Sequence, residues 1–169
     1  MKRRALLSAL GLTGCGYHVG GKADLLPKTV RTIAIPTFGN LTTRYKISDR
    51  LGSAISREFL TRTRYQVVAD PNDADATLRG TVLNYIAFPT VVDKVTGRAA
   101  GVQISVTLQV SLTDRASGKV LFTRANMEVR ERYEISIDQT QYFEESETAL
   151  ERLSRDVART IVSAVLSGF

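Results

Sequence analysis

Val102-Gln103-Ile104-Ser105-Val106-Thr107-Leu108-Gln109-Val110-Ser111-Leu112 alternates apolar and uncharged polar residues without a break. Successive side chains of a strand point to opposite faces, so one face collects the aliphatic residues and the other collects Gln103, Ser105, Thr107, Gln109 and Ser111. A strand with this pattern buries one side and presents the other to water or to a polar partner. The fold is therefore organised around a sheet whose apolar face needs a cover, and the flanking sequence has to supply both the neighbouring strands and that cover.

C-terminal to this stretch, Asp114-Arg115-Ala116-Ser117-Gly118-Lys119 reads as a hairpin connection. Val120 to about Arg132 returns as a fifth strand, with Leu121, Ala125, Met127 and Val129 expected on one side. N-terminal to it, Phe88 to Arg98 reads as a loop mixing apolar residues with Lys94 and Arg98, and Ala76 to Ala87 as a third strand with Gly80 as a bulge site. Asp70-Pro71-Asn72-Asp73 is a turn, Tyr65 to Val68 a short second strand, and Val30 to Ile35 a first strand stopped by Pro36, which lacks an N–H. Phe38-Gly39-Asn40 reads as a turn.

Two segments carry helical periodicity. Ile47, Leu51, Ile55 and Phe59 recur every four residues between Tyr45 and Thr61, and Leu150, Leu153, Val157, Ile161 and Val165 form a stripe between Phe143 and Ser167. Glu144, Glu145 and Glu147 are expected in the first turn of the second helix. If the first helix joins the first two strands within one sheet, those strands run parallel. The expected fold is α+β, a two-layer sandwich with a mixed four- to five-stranded sheet and two helices packed on one face, formed by a single domain over residues 30–169.

The N-terminus has a different character. Lys2-Arg3-Arg4 precedes the apolar run Ala5 to Leu12, then Thr13-Gly14-Cys15, which is the layout of a secretory signal. The run is too short for a permanent span, since a hydrocarbon core of about 30 Å needs roughly 20 apolar residues. Leu12-Thr13-Gly14-Cys15 resembles the lipobox of bacterial lipoproteins, which implies removal of residues 1–14, acylation of Cys15 and an acylated tether over residues 15–29. The alternatives are a buried cysteine near a ragged terminus, or a secreted protein cut elsewhere. Cys15 is the only cysteine, so it has no disulfide partner, and acylation would remove an isolated thiol. Two or three acyl chains on one residue make a durable anchor, because each buried CH₂ contributes about 0.8 kcal/mol. Gly16 follows, where Asp would mark inner-membrane retention, and this implies passage to the outer membrane.

Removing Lys2, Arg3 and Arg4 takes the 23 basic residues to 20 against 17 acidic ones, so the formal charge of +6 falls to +3. With no basic run longer than a pair in the mature chain and no Trp, nucleic acid is a poor partner. The only histidine, His18, lies in the tether, so the domain cannot build a Ser-His-Asp or Cys-His arrangement. The carboxylates of Asp70 to Asp75 depart from the calcium-loop pattern at Ala74, and Glu144 and Glu145 project about 100° apart on a helix. No enzymatic activity, metal site or cofactor is expected.

Gly14-Cys15-Gly16-Tyr17-His18, Leu26-Pro27, the strand Ile33-Ala34-Ile35 leading to Phe38-x-Asn40, and the helix with Leu51 and Phe59 together resemble the lipopolysaccharide-assembly lipoprotein family LptE. The resemblance implies a non-enzymatic outer-membrane lipoprotein that plugs the LptD β-barrel, helps it assemble and contacts lipopolysaccharide. The neutral row Gln103, Ser105, Thr107, Gln109 and Ser111 would suit the polar interior of such a barrel, although an ordinary solvated face reads the same way. Lys94, Arg98, Arg115 and Lys119 are candidates for lipopolysaccharide contact by loop position and charge alone. The competing reading is another tethered periplasmic module, such as an LpoB-like activator of peptidoglycan synthesis. Members of that class carry a long spacer, whereas this tether is short.

Overall fold

Three long strands form the spine of the molecule: β4 (Ala76–Val92), β5 (Ala99–Asp114) and β6 (Val120–Glu134). In the computed structural model residues 26–95, 97, 99–134 and 139–167 are described, the last stretch with side chains from Glu147 onward. The expected signal, Cys15, most of the tether, and Arg98 lie outside them.

The remaining elements are β1 (Thr32–Ala34), β2 (Gly39–Asn40), α1 (Tyr45–Arg62), β3 (Gln66–Val68) and α2 (Gln139–Ser167), with a 3-10 turn at Pro71–Asp73. The sheet order is β3-β1-β4-β5-β6, with β2 pairing to β4 beyond the end of β1. The expected parallel pairing of the first two strands is present, with Ile33 opposite Val67, and β1 is also parallel to β4. β4–β5 and β5–β6 are antiparallel hairpins. The architecture is α+β with a mixed sheet and two helices, as the sequence implies.

The sheet has one strand more than expected. The turn read at Phe38-Gly39-Asn40 instead contributes β2, with Gly39 opposite Thr81 and Leu41 N donating to Val82 O at 2.9 Å. The turn comes just after, where Asn40 Oδ1 accepts from Thr42 N at 2.8 Å and Asn40 Nδ2 donates to Arg44 O at 3.0 Å.

On the helix-facing side of β5 all the aliphatic residues from Val102 to Leu112 are buried. Ile47, Leu51, Ile55 and Phe59 of α1 and Leu153, Val157, Ile161 and Val165 of α2 are wholly inaccessible beneath the helices. Each such side chain contributes about 1.5–3 kcal/mol by leaving water. Lys46 and Arg50 pair with Glu147 near the starts of the two helices, and Arg62 donates to Ser163 near their ends, so α1 and α2 run parallel, side by side.

Four local expectations are corrected. The register of β4 against β5 shifts at Val82/Asn84, Pro89/Val91 and Val91/Val92 and not at Gly80, which is needed for a different reason: a Cβ there would lie 2.1 Å from Cε1 of the buried Phe38 ring. Most of the expected loop Phe88 to Arg98 is hairpin, because the β-branched residues Thr90, Val91 and Val92 continue β4. In β6 the buried residues are Phe122, Met127 and Val129, while Ala125 is exposed. Leu108 pairs with Met127 but Val110 with Arg124, so a bulge shifts the alternation by one. Finally, α2 begins at Gln139, so its first turn holds no acidic residue and Glu144, Glu145 and Glu147 fall further along it.

Candidate functional site

No described element packs over the sheet face opposite the helices, and the strand register determines what that face displays. Gln103 lies between Phe88 of β4 and Arg132 of β6, Ser105 between Ile86 and Arg130, and Thr107 between Asn84 and Glu128. Gln109 lies opposite Thr81, and Ser111 between Arg79 and Thr123. All five residues of the neutral row therefore share one face, as the alternation requires.

The row is neutral only along β5. Arg130 grips Glu128 through two bonds of 2.9 Å, and Ser105 Oγ donates to the same carboxylate. The Arg130 hydrogen bond, followed by that from Ser105, holds the Glu128 carboxyl below the usual carboxylate range. Arg132 is exposed one pleat further on, and Ile86 and Phe88 stand about half exposed beside it. Toward the other end, a shallow depression of about 350 Å³ is lined by Thr37, Gly39, Arg79, Thr81, Gln109 and Ser111. The face thus has a neutral β5 row flanked by the Glu128–Arg130 ion pair, cations at its ends in Arg79 and Arg132, and an apolar margin on β4. Arg79, Arg130 and Arg132 escape a strand-by-strand reading because only the inter-strand register brings them beside the row.

The basic candidates separate into two groups. Lys94 is exposed in the β4–β5 turn, whose backbone is closed by Gly97 N donating to Asp93 O at 2.9 Å with Gly97 at φ 68°. Arg115 and Lys119 lie in the β5–β6 turn at the other end of β5. At about 3.3 Å per residue the length of β5 separates the two turns by about 50 Å. A single headgroup cannot touch both. Arg115 is also committed to structure: its Nε donates to Ala74 O at 2.7 Å and its backbone N to Asp75 O at 2.8 Å.

Asp75 organises that lower end. Its carboxylate accepts from Arg31 N at 2.8 Å and Thr32 N at 3.0 Å, tying the start of β1 to the start of β4. These two backbone donors hold its pKa below the ordinary value. The chain enters beside this point, at the buried Leu26, and the β4–β5 turn is the opposite extremity. Among the described residues no three His, Cys, Asp or Glu side chains gather as a metal site would need, and no helix is long and apolar enough to cross a membrane.

Residues 30–165 match a family model described as LptE, lipopolysaccharide-assembly. No curated protein sequence matches significantly. Among solved structures, a minor lipoprotein from Acinetobacter baumannii superposes with a TM-score of 0.52 at 18% identity, covering 84% of this chain and 95% of that one. A putative lipoprotein from Caulobacter crescentus gives 0.54 at 12% identity, covering 79% and 88%. The PelC dodecamer subunit from Paraburkholderia phytofirmans gives 0.55 at 16%, covering 82% and 89%. At these identities the three likenesses concern the fold.

Proposed function

Because the chain belongs to the LptE lipopolysaccharide-assembly family, we propose that it is an outer-membrane lipoprotein, anchored through Cys15, that plugs an LptD-like β-barrel, assists its assembly and contacts lipopolysaccharide. The family is one of assembly lipoproteins rather than enzymes, and an assembly role needs surfaces in place of a catalytic cleft.

The observation that carries the reading is the open sheet face. Gln103, Ser105, Thr107, Gln109 and Ser111 form a row of hydrogen-bonding side chains, none of them charged, with no described element over it. The lumen of a large barrel is polar, and the β5 row can dock there without stranding a charge of its own, while Glu128 takes its counter-charge from Arg130 on the same face. Lipopolysaccharide is an amphiphile with phosphates. Lys94, in the β4–β5 turn with the exposed Val91, Val92 and Val95, and Arg98, four residues on in the sequence, would offer cations for its headgroup and apolar contact for its chains. Arg115 and Lys119 remain as a separate, lower candidate pair for an anionic headgroup.

Affinity purification of the full-length chain from detergent-solubilised membranes of its host tests the reading. Recovery of a large outer-membrane barrel in a stoichiometric complex is expected, and its loss on Gln109→Glu with Thr107→Glu, which place charges in the neutral row. Recovery of a penicillin-binding protein in place of a barrel would instead support the LpoB-like alternative. Intact-mass analysis of the membrane-bound chain should show cleavage before Cys15 and acyl chains on that residue; an unmodified thiol would refute the anchor.

A further inference from the structure

β4 is paired on one side along its whole length by β5, but on the other side only at Ala76–Thr77 by β1 and at Thr81–Val82 by β2. From Asn84 to Val92 no described strand lies along that edge. The backbone N–H and C=O groups directed outward there are a template for another strand.

The two edges of the long-stranded half of the sheet differ in one respect. The β6 edge is crowded with charge, at Arg124, Glu128, Arg130, Glu131, Arg132 and Glu134, which is how proteins commonly discourage strand addition. The β4 edge has no such charge, and past Asn84 its interruptions, Pro89 and the register shifts at Pro89/Val91 and Val91/Val92, are confined to its far end. From Gly80 to Val92 there is no charged side chain, and Ile86, Phe88, Val91 and Val92 are each about half exposed. Pro89 withdraws one N–H but leaves the rest of the edge able to pair. Beside it the Thr90 hydroxyl is buried without a hydrogen-bond partner. A long, uncharged edge of this kind invites aggregation unless something covers it.

We propose that the open edge of β4 from Asn84 to Val92 is a strand-docking site that takes an extended, uncharged segment of a separate partner protein. Main-chain hydrogen bonds supply the affinity, and the alternate side chains of the segment meet Ile86 and Phe88 on the outer face and Tyr85 and Ala87 on the helix-facing side. A segment with charges at those positions would lose water with nothing to pair against. A second copy of this chain fits less well. Symmetric sharing of one edge is antiparallel, which sends the two Leu26 residues to opposite ends of the pair. It would also set two Pro89 residues near the centre of the new ladder. The inference does not depend on what covers the outer sheet face.

Site-specific photo-crosslinking in the full-length chain, expressed in its host, tests the site. A benzoylphenylalanine is placed singly at Asn84, Ile86, Phe88 and, past the register shift, the exposed Val91, and the adducts are sequenced by mass spectrometry. All four positions should capture the same protein, and the captured residues should advance along one segment in steps of about two. Adducts with a second copy, adducts scattered over unrelated segments, or none at all would each overturn the proposal. In the isolated complex, amides of 84–92 should exchange about tenfold more slowly, or slower still, than in the free chain. Equal exchange would also overturn it. Phe88→Lys, at an exposed position that leaves the core intact, should abolish both signals while the melting temperature of the free chain holds; persistence of both with that charge in place refutes docking through this edge.

Discussion

At single positions the structure depends on contacts between residues far apart in the chain. Gly80 is required because the Phe38 ring lies where its side chain would be. Gly80→Ala should therefore destabilise the domain by about 1–3 kcal/mol in urea unfolding, the usual cost of overpacking. Adding Phe38→Leu should recover part of that loss, and strictly additive effects would refute the contact. Sequence alone marks Gly80 as unusual but reads it as a bulge, since local pattern contains nothing of Phe38. Asp75 makes a pH-dependent contribution. Its folded pKa is depressed, so the stability it adds is complete above the unfolded value of about 4 and disappears as pH falls through the lower, folded value. Unfolding between pH 3 and 6 should show a flatter stability slope in Asp75→Asn than in the parent chain, together with a loss at pH 7 of about 1 kcal/mol or less, since solvent screens the bonds to Arg31 and Thr32.

Along the elements, periodicity holds wherever the partner is regular. The alternation of β5 survives intact because both its neighbours pair with it over most of its length, and the four-residue stripe of α1 buries every residue it nominates. β6 shows how the reading fails: counting by twos through Leu121 and Ala125 crosses a bulge and leaves Phe122, the true core residue, on the wrong face. The Phe88 to Arg98 segment misleads for another reason. Pro89 argues against a central strand, and β4 is an edge at that point, where proline is tolerated. In α2, Ile161 is wholly buried in the middle of the stripe, so Ile161→Ala should cost about 2–5 kcal/mol by thermal or urea unfolding. The exposed Arg159→Ala on the same helix should change stability by no more than about 0.5 kcal/mol.

For the molecule as a whole, the fold class is legible because helix and strand periods differ and each amphipathic element needs the others. The division of the candidate cations between two extremities is not legible, since Lys94 and Arg115 belong to turns that look alike until the strand between them is given its length. If Lys94 and Arg98 contact lipopolysaccharide, Lys94→Glu with Arg98→Glu should weaken binding of the purified domain to lipopolysaccharide about tenfold or more at low salt, while Lys119→Glu, at the other extremity and clear of the Arg115–Ala74 bond, leaves that binding unchanged. Comparable weakening per charge reversed at both extremities would point to nonspecific attraction by net charge.

The parallel packing of α1 and α2 has an electrostatic result for the whole body. In an antiparallel pair the two macrodipoles largely cancel, but here they point the same way, each placing roughly half a unit of positive charge at its N-terminus. The positive pole is directed toward the extremity that carries Lys94 and the negative pole toward the extremity where the chain enters. The two positive ends therefore reinforce one another at the same extremity, and an anion approaching the first turns of the helices meets about twice the partial charge that one helix alone would offer.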